Sequence, residues 1–283
     1  MKKAKSFFLT ICRNKQALVG MIILIFFFLM ATIGPEIVPE ATKTNYAERL
    51  QSPSIQHWLG TDYAGRDTLS QFVHGSRNVL LVAFVAGIIT ISIGFIVGTI
   101  AGVAGGIVDE LLMGITGVML TVPSFPIMMV LSMVINIDNP LLFGFLLSMW
   151  SWAGLARSIR AQILSLKHRD FVEASRVLGM GLFHIIFKEM LPNMISYILI
   201  SFISVMKSAI TASVGLMVLG LVPFSSSHWG MMISLATTTT GAMYGSSALI
   251  YFLTPVFGIM LFQMGCLFFA NGLDDAFNPK LSS

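Results

Sequence analysis

The sequence predicts an all-α polytopic membrane protein with six transmembrane helices and one patterned loop on the cytoplasmic side. Three observations predict it. Charged residues make up 11% of the 283 residues and hydrophobic residues 55%, whereas a soluble domain carries about 25% charged residues. The mean hydropathy is +0.84, which places most of the chain in lipid or against other buried helices. Six apolar runs approach or exceed the ~20 residues that a helix needs to cross a hydrocarbon core of about 30 Å. The pI of about 9.2 does not argue for nucleic acid, because the basic residues fall at the ends of apolar runs, where membrane topology is encoded. Lipid is an expected partner and nucleic acid is not.

The elements follow in order. Residues 1–16 form a basic tail carrying Lys2, Lys3, Lys5, Arg13 and Lys15. Residues 17–33 are the first span. Its flank suits a signal peptide, but the apolar stretch exceeds the usual ~7–15 residues and no A-x-A site follows, so it is retained. Residues 34–78 form an extracytoplasmic loop. Residues 79–270 hold five more spans, at about 79–103, 111–135, 141–156, 194–222 and 248–270. The third of these, at sixteen residues, extends at one end. Residues 157–193 form a loop and 271–283 a C-terminal tail. With the N-terminus inside, twelve Lys and Arg residues lie on the inner side and four on the outer. The excess puts both termini and the 157–193 loop in the cytoplasm, with the chain multi-pass in the cell (cytoplasmic or inner) membrane.

Some spans carry internal detail. Gly94, Gly98, Gly102 and Gly106 recur every fourth residue, a stripe that lets a neighbouring helix approach closely. Pro123 and Pro126 each remove a backbone hydrogen bond and should bend or break the 111–135 helix; such a break either lines a pathway or serves packing. Lys207 is the one charge deep in a span and should face protein or a water-filled cavity. It either lines a path or forms a structural pair. Cys12 and Cys266 read as free thiols with small apolar roles. No C-x-x-C, H-E-x-x-H or G-x-S-x-G occurs, and His57, His74, His168, His184 and His228 are scattered. No catalytic or metal-binding residue is expected, and Asp62 and Asp67 around Arg66 read as an ordered loop held by ion pairs.

The loop 157–193 carries six of the seventeen Lys and Arg residues. It is too charged to insert yet patterned. Ile159, Ile163 and Leu166 share one helical face; Phe171, Ala174 and Val177 share another. Glu173 lies in pairing range of Arg169 and Arg176. Gly179-Met180-Gly181 supplies a helix stop, a second short helix follows, and Pro192 suits the first turn of the next span. The result is a helix–turn–helix with a small-residue ledge at Ala174 and Ser175 that another protein can grip.

The run from Glu173 to Gly179, E-A-S-x-x-x-G, with Leu191-Pro192 beyond it, resembles the E-A-A-x3-G-x9-I-x-L-P loop of ATP-binding cassette importer permeases. Ser175 stands for the second Ala and Glu189 for the Ile. The stretch "HWLGTDYAGRDTLSQFVHGSR" (His57 to Arg77), "NKQALVGMIIL" and "NGLDDAFNPKL" are similar to the C-type permeases of dipeptide, oligopeptide and nickel importers. The resemblance runs in order along nearly the whole chain and implies the type I importer permease fold.

It implies a division of labour as well. A related second permease, as a heterodimer or with a homodimer as the other possibility, would complete the channel. Two cytoplasmic ATPases would grip the coupling helix through Glu173, Ala174, Ser175, Leu178, Gly179, Gly181, Leu191 and Pro192. An extracytoplasmic binding protein would deliver the cargo: peptides, nickel or metal chelates, or oligosaccharide. No cofactor is expected in this chain, because it lacks G-x-x-x-x-G-K-[ST] and leaves ATP and Mg to the ATPases. Relatives carry a Glu where this chain has Ser213; Ser213, Pro123 and Lys207 are the candidates for lining the translocation path. The rival reading is an ion-coupled secondary transporter. It would call for acidic relay groups in the membrane, and the six spans as bounded hold no Asp or Glu.

Overall fold

A computed structural model describes residues 14–222, 225–241 and 248–277. The basic tail up to Arg13, with Cys12, and the C-terminal tail from Asn278 lie outside the described residues. The described chain is helical apart from a single isolated bridge between Thr61 and Asp67. In order come α1 (Lys15–Thr32), α2 (Gly34–Ile37), α3 (Thr68–Ala104), α4 (Gly106–Thr121), α5 (Ser124–Val134), α6 (Pro140–Leu166), α7 (Asp170–Val177), α8 (Leu182–Val218), α9 (Trp229–Thr240) and α10 (Leu249–Phe277).

Helices α1, α3, α8 and α10 are each long and apolar enough to cross a membrane. The pair α4–α5, bent by 78°, counts as a fifth if it forms one span. α6, which holds the expected span 141–156, is not among them because its charge-free stretch is short, so by length and composition the described residues give four or five spans where six were expected. Polytopic membrane insertion follows from these lengths.

The bent pair begins at Gly106, five residues before the expected span, and breaks where the prolines stand. Val122 leaves the helical region at φ −80° and ψ 121°, as the residue before a proline is driven to do. Pro126 then falls in the first turn of α5, where a missing N–H costs little.

The core centres on α3 against α6, and the glycine stripe is the reason. A Cβ on Gly94, Gly98 or Gly102 would sit 2.5–2.9 Å from atoms of Leu155, Ala156, Ile159 or Ile163, so only hydrogen fits. Gly106 departs from the expected stripe. It meets nothing within 4 Å and instead turns the chain into α4 at φ +52°. A second cluster joins α1, α3, α8, α9 and α10 around Phe27, Ile210, Trp229, Met232 and Phe262.

Two elements differ from expectation. α3 starts at Thr68, eleven residues before the apolar run, because Asp67 caps it by accepting from the Ser70 N–H at 2.7 Å. α9 lies inside what the sequence suggested was a loop. Its Thr237, Thr238 and Thr240 hydroxyls return to carbonyls one turn back, while Trp229, Met232 and Ala236 are buried.

Candidate functional site

The charged loop is built from three pieces. The end of α6 contributes Ile159 and Ile163, both fully buried, and Lys167 donates to the Val103 carbonyl at 3.1 Å. Arg160 forks onto both carboxylate oxygens of Asp109, tying α6 to the start of α4. α7 then runs across this foot. It anchors through Val172 alone, fully buried among Ile159, Ile163, Ile185 and Met190. Asp170 and Glu173 sit in its first turn and Arg176 in its last, the polarity that complements the helix dipole.

α7 stops at Gly179. The Met180 N–H reaches the Ser175 carbonyl at 3.0 Å and the Gly179 N–H reaches Arg176 at 2.9 Å, with Gly179 at φ +73°. This is the paired C-terminal motif that a left-handed glycine closes. The sequence reading of the helix stop holds. The expected pairing of Glu173 does not: neither Arg169 nor Arg176 forms an ion pair with it among the described residues. All three side chains point into solvent, where such a pair would contribute little.

The second short helix also departs from expectation, being the foot of one continuous helix, α8. Pro192 carries no N–H for the carbonyl four residues back, and the helix accommodates this as a π turn over Ile185–Met190. The Asn193 side-chain amide donates to the Glu189 carbonyl at 2.6 Å, beside the distorted turn.

Of the eight loop candidates, Glu173, Ala174, Leu178, Gly179, Gly181 and Pro192 are exposed, and Ser175 and Leu191 are half-buried. Sequence reasoning missed the apolar edge that surrounds them. Val177 is 88% exposed, Leu178 72%, Leu182 60% and Phe183 75%. Phe171 and Met180 extend it, and Phe183 stacks on Phe187 with ring centroids 4.4 Å apart. The signal was present as V-L and L-F either side of the glycine turn.

The path candidates separate. Pro123 is exposed at the break. Lys207 is half-buried at mid-α8. Ser213 is fully buried on the inner side of α8, its hydroxyl donating to the Ile210 carbonyl at 2.9 Å.

At the other end of the bundle, the G-T-D-x-x-G-R-D stretch forms a clamp. The Asp62 carboxylate is fully buried. It accepts from the Ala64 and Arg66 N–H groups, both at 2.8 Å, from Arg66 Nε at 2.8 Å and from Gln71 Nε2 at 3.0 Å. Arg66 Nη1 donates onward to Ser226 at 2.8 Å, and its guanidinium lies over the Tyr63 ring. Burial works against the Arg66 charge, but Asp62 outweighs it and holds the guanidinium above its usual range. Gly65 permits the turn, at φ +75° with a Cβ position 1.8 Å from the Asn45 carbonyl oxygen. Asp67 also meets His57 Nδ1 at 2.9 Å. The ion-paired loop expected around Asp62, Arg66 and Asp67 is the one observed.

Comparison with known proteins places the chain in a family. Residues 94–283 match the family described as "Binding-protein-dependent transport system inner membrane component". Residues 4–53 match the "N-terminal TM domain of oligopeptide transport permease C". The dipeptide transport system permease protein DppC of Bacillus subtilis is 35% identical, covering 95% of this chain and 83% of the relative. The oligopeptide transport system permease protein OppC of the same organism is 33% identical over 95% and 87%. OppC of Haemophilus influenzae is 33% identical over 95% and 86%. These relatives are named as transport permeases, none as an enzyme. The chain belongs to the family of binding-protein-dependent transport system inner membrane components.

Proposed function

We propose that this chain is the six-span permease subunit of an ATP-binding cassette importer of di- or oligopeptides, and that α7 couples it to a cytoplasmic ATPase. The observation that carries the coupling is the exposed apolar edge of Val177, Leu178, Leu182 and Phe183 around an unpaired Glu173, in a loop otherwise too charged to bury. An edge of that kind suits a groove in a partner with an aromatic or aliphatic floor and a basic rim. Val172 seats α7 on α6 and on the foot of α8, so a push on α7 moves two long helices together, as rigid-body gating requires. The peptide cargo is supported by the names of the relatives, nickel by none of those named above. In this reading α6 is the remaining span, both termini are cytoplasmic, a second permease completes the channel, and a binding protein delivers peptide from outside.

The test is peptide uptake and ATP hydrolysis by the complex reconstituted in vesicles, comparing the intact chain with Glu173→Ala and Gly179→Pro. Loss of uptake of tenfold or more with the ATPases released, or still hydrolysing without transport, supports the reading. Unchanged uptake in both variants sinks the coupling role. Stimulation of hydrolysis by binding protein loaded with a nickel chelate, and not with peptide, would overturn the cargo.

A further inference from the structure

The polar residues of α8 sit where a lipid-facing helix should have none. At ~100° per residue, Ser201, Ser204, Lys207, Ser208 and Thr211 fall within an arc of about 120°. Ile203, Ile210 and Met217 occupy the other side and are buried. Ser204, Ser208 and Thr211 are exposed and Lys207 is half-buried. Thr211 accepts from Gln263 Nε2 of α10 at 3.1 Å, which carries the polar face onto a second helix. Among the described residues no carboxylate pairs with Lys207, and the Ser204 and Ser208 hydroxyls have no partner.

Lipid cannot be the neighbour of this face. Lys207 is the fourteenth of the twenty-nine residues in the run 194–222, so either end lies about 20 Å away along the helix. A lysine stem cannot span that distance to reach an interface. A charge left at the centre costs about 2.5–3.5 kcal/mol even on the lowest scales. Water or protein must therefore cover it. A second feature adjoins the same face, the break between α4 and α5, where a Cβ on Gly215 would lie 3.5 Å from the Phe125 ring. Interrupted helices at membrane depth are tolerated where they are buried in protein or line a water-filled cavity, and discontinuous helices commonly line transport sites.

We propose that this face of α8 lines the translocation path and that Lys207 Nζ receives the carboxylate of the passing peptide. The assignment rests on the peptide-importer reading above and deepens it. An ammonium offers three donors and no acceptor, so it selects an anion. Every unblocked peptide carries one α-carboxylate whatever its side chains, which makes a single cation a sequence-independent handle. The Ser204 and Ser208 hydroxyls both donate and accept, so they take peptide N–H or C=O groups in any register. Such contacts are few and open to water, strong enough to admit the peptide and weak enough to release it.

The experiment uses the full reconstituted complex with its binding protein. It compares uptake of one short peptide bearing a free C-terminus with uptake of its C-terminal amide, each scaled to its occupancy of the binding protein. With the intact chain the acid is expected to move about tenfold faster than the amide, the size of one charge-assisted hydrogen bond. Lys207→Gln should bring the acid down to the amide rate and leave the amide within about twofold. Lys207→Arg should keep most of the preference. If Lys207→Gln slows both peptides alike, or releases the second permease, the ammonium serves a neighbouring subunit and the assignment is wrong. If peptide moves but the intact complex does not distinguish acid from amide, this assignment alone fails. If ATP is hydrolysed and neither peptide moves, the peptide reading fails and takes the assignment with it.

Discussion

The clamp around Asp62 and the loop around Glu173 each hold a carboxylate beside an arginine, and they solve opposite problems. Asp62 is fully buried, with four hydrogen-bond donor groups converging on it; its guanidinium partner reaches on to Ser226. Glu173 stands in solvent with Arg169 and Arg176 within a turn and pairs with neither. The apolar side chains invert the pattern, since Trp229 is buried beside the clamp and Val177 and Phe183 are exposed beside the loop. One region is complete within this chain. The other presents apolar surface without covering it, the state of a surface made for contact.

Three measurements would break or sharpen that contrast. The largest effect belongs to Asp62→Ala, which removes a fully buried carboxylate and leaves the half-buried Arg66 without its counter-charge. A loss of about 3–5 kcal/mol is expected, read as a drop in thermal midpoint of the detergent-solubilised chain and as protease cleavage within residues 39–67. A variant as stable as the parent would mean that the clamp is ornamental.

The next effect comes from acid. Burial pushes the His228 imidazole from its ordinary 6.5 down to about 3, and Nδ1 caps α9 by accepting from the Gly230 N–H at 3.2 Å. The unfolded chain takes up a proton near pH 6.5 and the folded chain does not. The contribution is therefore whole above 6.5 and is lost as pH falls from there toward 3. At pH 5.5 the cost is about 1.4 kcal/mol. It should be absent in His228→Asn, which keeps a capping oxygen and cannot titrate; an equal acid loss in that variant would place the sensitivity elsewhere.

The smallest effect on stability is expected from Leu178→Ser with Phe183→Ser, within about 0.5 kcal/mol because both side chains are largely exposed and the one ring contact, of Phe183 with Phe187, is itself at the surface. The same pair should weaken co-purification of the ATPases by tenfold or more. Unfolding with intact ATPase binding would reverse the contrast between the two regions.

Much of this was legible because lipid imposes simple rules. Apolar length marked α1, α3, α8 and α10, Pro123 marked the break, and Gly179 marked the stop of α7. The stripe at Gly94, Gly98 and Gly102 named a close contact without naming α6 as its partner. Hydropathy reports where a helix meets lipid, not where it ends, so the polar first turns of α3 at Thr68 passed for loop. α9 was hidden for a related reason. Its threonines satisfy their hydroxyls on their own backbone, so the composition reads as irregular while the helix packs through Trp229, Met232 and Ala236. Ser213 and Lys207 lie less than two turns apart on one helix. Only their angular positions separate a packed hydroxyl from a cation facing outward, and a single run of hydrophobic residues on every side conceals the angle.

That angle gives the π turn at Ile185–Met190 a further meaning. A π turn holds one residue more than the α-helix it interrupts, and each residue advances a helix by about 100°. The foot of α8, with Leu182 and Phe183, is therefore rotated by that amount relative to an unbroken helix leading to Lys207. The distortion at Pro192 works as a phase setting. It fixes which compass direction of the upper helix corresponds to the surface at its base.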